Sequence, residues 1–295
     1  MPIAAREYAS EADLRRMQAL VAAVWQARGP LAPTHIGDLA WWMYQHVDKL
    51  REVRVRLWLD GGEAVAYGIL WRDRHDLDFA IHPDRPELIA EVVEWSKPSR
   101  AWTVDADAAT VGDLRALGLR PTDDASYEHH VRDLQDDIAA AALPRGYRVR
   151  TVRDESDLDA RVAVHRAAFH PSRVVQASYG RLMEAWPYRP DLDHVVEAPD
   201  GSFAAFCLAW LDDENAAGLL EPVGTHPEHR RMGLAAAVCR AALAELRARG
   251  ARHAVVLSNS GSAATGLYEK IGMHALARHV AFARGAGKGT DDASV

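Results

Sequence analysis

The stretch from Leu219 to Ala235, LLEPVGTHPEHRRMGLA, constrains the fold of this chain more than any other. It has the pattern of a strand that is interrupted by a proline and followed by a basic turn that opens a helix. The turn reads R-x-x-G-x-A, and such a loop at a helix N-terminus directs several free backbone N–H groups at one point, where the helix dipole favours an anion. Gly233 permits close approach of a bound group, and Arg230 and Arg231 supply forked donors for phosphate oxygens. We therefore expect a ligand that carries a pyrophosphate.

Two motifs of this chain resemble those of one known family. R-x-x-G-x-A after a strand that ends in His-Pro resembles the acetyl-CoA motif of the GNAT N-acetyltransferases. Residues 259–273, NSGSAATGLYEKIGM, resemble the family's second motif, which is an asparagine, then an alanine, then LYEKLGF. The motifs stand in the family's order, with room between them for one helix, one strand and the start of another helix. The resemblance implies an α/β fold with a mixed sheet, of the α+β kind, and acetyl-CoA as the cosubstrate of an N-acetyltransferase. It also implies the order β-α-α-β-β-β-α-β-α-β for the C-terminal half, in which residues 279–283 close the sheet.

The resemblance assigns the binding of acetyl-CoA to residues of the C-terminal half. In the family the acetyl-pantetheine arm lies beside the strand that matches residues 217–225, which implies backbone pairing with Val223 and Thr225. Asn259 would orient the cofactor or a water molecule. The pyrophosphate loop of the family matches Arg230, Arg231, Gly233, Leu234 and Ala235.

The strand over residues 217–225 is expected to be irregular and to carry a general base. Pro222 and Gly224 are poor residues for a strand interior, so we expect a bulge or a gap in the ladder that leaves backbone groups free for a ligand. Glu221 shares a strand face with Val223, which directs its carboxylate towards the acetyl group. It is the candidate base that takes the proton of an ammonium through water. A salt bridge is the alternative role for this side chain.

Other candidates complete the predicted site. Tyr268 is the candidate general acid, because a phenol can protonate the departing thiolate in a concerted or assisted step. His226 is an alternative base, although it points to the other strand face. Trp186 and Tyr188 follow the second helix of the C-terminal half, where GNAT proteins often build the acceptor pocket. Core packing is the alternative for both aromatic residues.

Three landmarks recur in the same order in both halves of the chain, which predicts a tandem duplication. They are the runs 66–71 and 205–210, the pairs 82–83 and 226–227, and the triplets 117–119 and 271–273. In the first copy the following loop, residues 84–87, reads DRPE. It has no glycine, Pro86 removes a backbone donor, and its two acids would repel an anion. We therefore expect two tandem GNAT-like domains, of which the N-terminal one is degenerate and binds no acetyl-CoA.

The repeats and the composition between them predict the domain boundaries. The degenerate domain is expected over residues 1–135, and a polar, then alanine-rich linker over residues 136–145. The catalytic domain is expected over residues 146–284. Residues 285–295, which are rich in Gly and Asp, are expected to be a disordered tail.

Composition and charge exclude several classes of function. The net charge of -7 argues against a nucleic-acid partner, which needs a basic face. No segment approaches the roughly 20 apolar residues of a membrane span, and the N-terminus lacks an apolar signal core, so we expect a cytoplasmic protein without a membrane partner. The abundance of Ala and Arg is typical of a bacterial, GC-rich genome. No metal site stands out among the histidines, and Cys207 and Cys239 read as buried residues, which favours direct acetyl transfer in a ternary complex.

The sequence leaves the acceptor open. A small primary amine is the main expectation, and a protein or peptide or a mycothiol-type acceptor is the rival within the enzyme class. A non-catalytic acyl-CoA-binding module is the alternative outside that class, and the presence of Tyr268 counts against it. The oligomeric state is open as well, with a homodimer as one alternative.

Overall fold

One mixed β-sheet of 13 strands runs through the described part of the chain, residues 2–122 and 126–284, in the computed structural model. We call residues 2–135 the N-terminal half and residues 146–284 the C-terminal half. The tail predicted over residues 285–295 lies outside the described residues.

The elements of the N-terminal half follow the predicted order. Its strands are β1 (Ala4–Glu7), β2 (Val53–Asp60), β3 (Glu63–Trp71), β4 (Asp76–Ile81), β5 (Arg100–Val104), β6 (Leu119–Pro121) and β7 (Tyr127–Asp133). Its helices are α1 (Glu11–Arg28), α2 (Ile36–Tyr44), α3 (Lys49–Glu52), α4 (Leu88–Ser96) and α5 (Ala108–Ala116).

The C-terminal half repeats this order. Its strands are β8 (Arg148–Thr151), β9 (Asp193–Glu197), β10 (Phe203–Asp212), β11 (Ala217–Thr225), β12 (His253–Asn259) and β13 (His274–Arg284). Its helices are α6 (Leu158–Ala168), α7 (Gln176–Glu184), α8 (Leu234–Ala248) and α9 (Ala263–Lys270). The mixed α/β fold and the β-α-α-β-β-β-α-β-α-β order expected for this half are therefore confirmed.

Helix α8 illustrates how the sequence fixes an element. Its apolar residues recur at helical spacing, and Leu234, Val238, Leu243 and Leu246 are all buried against the sheet. The helix ends where Gly250 takes a left-handed φ of +93°. The N–H of Ala251 then donates to the carbonyl of Leu246 at 3.0 Å, which closes the last turn.

The last strands of the two halves change places within the sheet. The strand order is β1-β2-β3-β4-β5-β13-β7-β12-β11-β10-β9-β8, and β6 pairs with β13 off this path. Strand β13 pairs with β5 of the N-terminal half, while β7 pairs with β12 of the C-terminal half from Tyr127 to Asp133. The sequence predicts that residues 279–283 close the sheet of their own half, and that prediction is wrong. Each half depends on a strand from the other, although the predicted linker separates them in sequence.

Helix α2 also joins the two halves, because it packs on strands β10 and β11. A Cβ atom at Gly37 would lie 2.2 Å from Cγ of Trp210, so the bare backbone of α2 lies directly against that indole. His35, just before α2, accepts a hydrogen bond from the N–H of Gly37 at 3.1 Å. The other ring nitrogen of His35 lies 3.3 Å from the carbonyl oxygen of Ala217 and donates to it. Burial lowers the pKa of His35 to about 4, so the ring is neutral at physiological pH. A neutral ring with its proton on Nε2 can make both contacts.

Candidate active site

Strands β11 and β12 separate after a short stretch of pairing. They pair in parallel only from Ala217 to Leu219, opposite residues 253–255. On the other side, β11 has a bulge against β10, since Val223 pairs with Cys207 but Leu220 pairs with Ala209. The bulge therefore falls at residues 221–222, which confirms the irregularity predicted from Pro222. Residues 220–225 have unpaired backbone groups on the side that faces the opening.

The loop before α8 presents a set of free backbone donors. Gly233 caps the helix with a φ of +78°, and Arg231 takes a φ of +63°. Within the described chain, none of the N–H groups of residues 231–236 donates a hydrogen bond. A Cβ atom at Gly233 would meet nothing within 4 Å, so there is room for a ligand against the backbone. Free donors, a helix N-terminus and Arg230 beside them fit the predicted pyrophosphate site.

The matching loop of the N-terminal half uses its donors internally. The N–H groups of Arg85, Leu88 and Ile89 donate to carbonyl oxygens within the loop at 2.8, 3.1 and 3.2 Å. Pro86 has no N–H, and the Arg85 side chain is held by Asp60 at 2.5 Å. This loop has few free donors for a phosphate group, in agreement with the degenerate site expected there.

A cavity of about 1010 Å³ lies where strands β11 and β12 separate. The predicted site residues that line it are Glu221, Val223, Asn259 and Tyr268. Thr225 and the pyrophosphate loop lie beyond its walls. The fold therefore brings the candidate acid Tyr268 and the candidate base Glu221 to one cavity. The predicted pyrophosphate loop, residues 230–235, lies outside that cavity.

Glu221 stands in the cavity wall without a compensating charge. Among the described residues, no ion pair or hydrogen bond involves its carboxylate, so the salt bridge considered from the sequence is absent there. Burial raises the pKa of Glu221 to about 8, and the nearby Asp38 carboxylate adds to the rise. The backbone carbonyl of Glu221 accepts a hydrogen bond from the indole N–H of Trp210 at 2.6 Å, which fixes the bulge.

Tyr268 faces the same cavity from helix α9. Its side chain is buried, and its ring lies 5.7 Å from that of His130. Burial raises its pKa well above the usual value, and the Glu221 carboxylate contributes to the rise. The phenol therefore keeps its proton at physiological pH, as a general acid requires.

The N-terminal half supplies the opposite wall of the cavity. This wall contains four indole rings and two carboxyl groups that form no ion pair among the described residues, those of Trp41, Trp42, Trp71, Trp102, Asp38 and Asp78. The cationic side chains of Lys49, Arg51, Arg72 and Arg74 line it as well. Sequence reasoning missed both aspartates. One sequence feature could have indicated Asp38, because it is the single charged residue of α2. The structure buries eight of the nine residues of this helix.

Two aromatic residues predicted for the acceptor pocket lie elsewhere. The Trp186 ring is 47% exposed and stacks under the guanidinium of Arg15 at 3.6 Å. The Tyr188 hydroxyl donates to Asp193 at 3.2 Å in a buried network. The structure thus places both outside the cavity, whose opposite wall is formed by residues of the N-terminal half.

Other predicted features have clear places in the fold. His226 accepts a hydrogen bond from the N–H of Glu228 at 3.3 Å in the turn before the pyrophosphate loop, and it does not line the cavity. Cys207 and Cys239 are fully buried free thiols. In the described ranges, no group of three or more His, Cys, Asp or Glu side chains could hold a metal ion. Nor does any described helix combine the length and the apolar character needed to cross a bilayer.

Comparison with known proteins identifies the class of the C-terminal half. Residues 161–273 match the model of the Acetyltransferase (GNAT) family. The chain is 29% identical over 213 residues to a mycothiol acetyltransferase of Streptomyces griseus, a match that covers 66% of this chain and 67% of that protein. Residues 161–273 therefore match the GNAT acetyltransferase family, as the two motifs predict.

Solved structures resemble the whole chain. A GCN5-related N-acetyltransferase from Sphaerobacter thermophilus has a TM-score of 0.61 at 21% identity and covers 95% of this chain and 94% of its own. A tandem GNAT protein from the clavulanic acid biosynthesis pathway has a TM-score of 0.62 at 16% identity and covers 95% and 98%. At these identities the likeness concerns the fold, and it confirms that the fold is one found in GNAT proteins, including a tandem one.

Proposed function

We propose that this protein transfers the acetyl group of acetyl-CoA to the amine of a small molecule. The observation that carries the proposal is the cavity where β11 and β12 separate, because Glu221 and Tyr268 both line it. The free donors of residues 231–236 would hold the pyrophosphate of acetyl-CoA. The unpaired backbone of Val223 and Thr225 would hold its pantetheine arm, and Asn259 would orient it.

In the proposed reaction each side chain has one task. Acetyl-CoA supplies the thioester that is to be cleaved. Glu221 takes a proton from the ammonium form of the acceptor, which frees the lone pair that forms the C–N bond. The Tyr268 hydroxyl donates a proton to the sulfur as the C–S bond breaks, and the tyrosinate recovers a proton from the nitrogen of the new amide. Direct transfer in a ternary complex fits two cysteines that are fully buried.

A calorimetric titration of the full chain with acetyl-CoA tests this proposal. We expect one site per chain, because the N-terminal loop uses its donors internally. Gly233→Asp should abolish binding, since it places a side chain and a negative charge where the pyrophosphate would lie. Gly62→Asp is the matched control, because Gly62 also has a positive φ and open space around its missing Cβ. Two sites per chain, or unchanged binding in Gly233→Asp, would contradict the proposal.

A mycothiol-type acceptor is the second candidate. It is favoured by the likeness to the Streptomyces griseus mycothiol acetyltransferase at 29% identity. Initial rates of thiol release with a cysteinyl amino-sugar conjugate and with simple amines distinguish the two acceptors. Binding of acetyl-CoA without thiol release from any amine would instead favour a non-catalytic acyl-CoA-binding module.

A further inference from the structure

The N-terminal half repeats the strand separation of the C-terminal half on the opposite side of the cavity. Strands β4 and β5 pair only at Asp76 and Leu77 before they diverge. Asp78 follows directly after the last paired residue of β4 and lines the cavity. The degenerate half therefore keeps the opening of a GNAT sheet, but it presents a carboxyl group there.

The carboxyl group of Asp38 lies in the same wall and has no cationic partner among the described residues. Its side chain is 6% exposed. One of its oxygens accepts the N–H of His35 at 2.7 Å, and the described part of the chain offers no further donor to it. Burial raises the pKa of Asp38 to about 7, and Asp78 adds to the rise. Both carboxyl groups thus line one cavity, and Asp38 has no ion-pair partner among the described residues.

Asp78 is only partly compensated. It accepts a hydrogen bond from the Trp71 indole N–H at 2.5 Å. Burial raises its pKa to about 6, and the charge of Arg74 opposes this rise. The Arg74 guanidinium itself lies 3.9 Å from Asp76 and over the Trp71 ring, so it forms no ion pair with Asp78.

A buried hydroxyl beside these carboxyl groups also lacks a partner. Tyr67 is fully buried, and its hydroxyl makes no hydrogen bond within the described residues. Burial raises the pKa of Tyr67, and the charges of Asp78 and Asp38 add to the rise. Tyr67 does not line the cavity, so its hydroxyl belongs to the polar surroundings of the two carboxyl groups and does not contact a ligand there.

Indole rings surround this part of the cavity. Trp41 and Trp42 lie one turn after Asp38 on helix α2, and both line the cavity. Carboxylates together with indole faces are the groups that bind alkylammonium ions, because the first offset the charge and the second attract it through the ring quadrupole. Neutral or anionic ligands would leave the carboxyl groups uncompensated.

We propose that Asp38 and Asp78 form a second ammonium subsite, so that the acceptor is a small molecule with two amino groups. One amino group would lie at Glu221 and Tyr268 and react, while the other would be held on the N-terminal wall. This inference rests on the proposed function for the reacting amine. It adds a substrate class and gives the degenerate half a direct part in selecting the acceptor.

Matched pairs of amines test the subsite. The full chain, saturated with CoA, is titrated calorimetrically with α,ω-diaminoalkanes and with the n-alkylamines of the same length. We expect the best diamine to bind at least about tenfold more tightly than its monoamine, a difference of about 1.4 kcal/mol. Asp38→Asn should reduce this preference to within about twofold, because the amide can still accept the His35 N–H but carries no charge.

The control is Asp84→Asn, which makes the same change at an aspartate whose side chain is 88% exposed and does not line the cavity. It should keep the preference for diamines, since solvent screens that charge. Equal binding of diamines and monoamines, no binding of either class, or a preference that survives both Asp38→Asn and Asp78→Asn would overturn the inference. Failure of the proposed function would appear separately, as absence of acetyl-CoA binding to the unaltered chain in the calorimetric titration.

Discussion

At the scale of single residues, the proposed chemistry depends on the protonation of Glu221 and Tyr268. Glu221 must lose its proton to act as a base, whereas Tyr268 must keep its proton to act as an acid. Burial holds the pKa of Glu221 at about 8, which makes it a stronger base than an ordinary carboxylate once it is ionised. Burial also keeps the Tyr268 phenol protonated. The sequence indicates both residues through motif position, but the value for Glu221 depends on Asp38, which comes from the other half.

Glu221→Gln should remove the ionisation that limits activity at low pH. The base must lose its proton, so kcat/KM of the wild type should rise with pH up to about 8, which is the pKa of Glu221 in the cavity. The variant should lose about 10²- to 10⁴-fold in kcat. Its pH profile should also lack the rise in kcat/KM that the wild type shows up to about pH 8. Steady-state rates from pH 6 to about 10, with the amine concentration varied at saturating acetyl-CoA, give kcat and kcat/KM and so measure both effects. An unchanged limb in Glu221→Gln would assign the base to another group.

Tyr268→Phe should lower kcat and leave the binding of acetyl-CoA intact. The hydroxyl is expected to act only as the thiolate departs, so its loss should cost about 10²-fold or more in kcat with little change in the KM for acetyl-CoA. The ring stays in place, because its packing against the core does not use the hydroxyl. A comparable fall in acetyl-CoA affinity, measured by calorimetry, would point to a binding role instead.

At the scale of elements, helix α2 connects the N-terminal wall to the strand that carries Glu221. The contact of Gly37 with Trp210 and that of Trp210 with the Glu221 carbonyl link the helix to the bulge. The bulge itself is predictable, because Pro222 cannot donate in a ladder. The docking of α2 is not, because nothing in the local pattern of residues 36–44 says which surface its apolar face meets.

Gly37→Ala should therefore destabilise the protein and lower its activity. The added methyl would lie 2.2 Å from Cγ of Trp210, so α2 or the indole must move, at a cost of about 1–3 kcal/mol. Gly112→Ala is the control, since Gly112 also lies within a helix and its Cβ would meet nothing within 4 Å. That change should stabilise the protein by about 0.5–1 kcal/mol. Urea unfolding of both variants measures the difference, and equal stabilities would contradict the close packing of α2.

At the scale of the whole molecule, the two halves share one sheet. The three recurring landmarks predict the duplication, and the family's fold supplies the order of the elements. The exchange of β7 and β13 escapes prediction, because their pairing joins residues about 150 positions apart and both possible arrangements bury the same strand faces. The position of Asp38 in the same cavity as Glu221 also escapes it, because nothing in the local sequence indicates that α2 packs on β10 and β11.

Separate expression of residues 1–140 and 141–295 tests the shared sheet. Each fragment would lack a central strand, so neither should show the cooperative unfolding of a folded domain by circular dichroism. Mixed and refolded together, the two fragments should form a stable complex that binds acetyl-CoA. A C-terminal fragment that folds alone as a monomer with native affinity for acetyl-CoA would contradict this prediction.

The exchanged strands also have a consequence for synthesis on the ribosome. The N-terminal half is translated first, and its strand β5 can pair with β4, yet the other edge of β5 stays unpaired until β13 has been made. The nascent chain therefore carries an open sheet edge through most of its elongation, a state in which unfinished proteins recruit chaperones or associate with one another. Because the strands are exchanged, the sheet of the first half is complete only after the last strand of the second half has been translated.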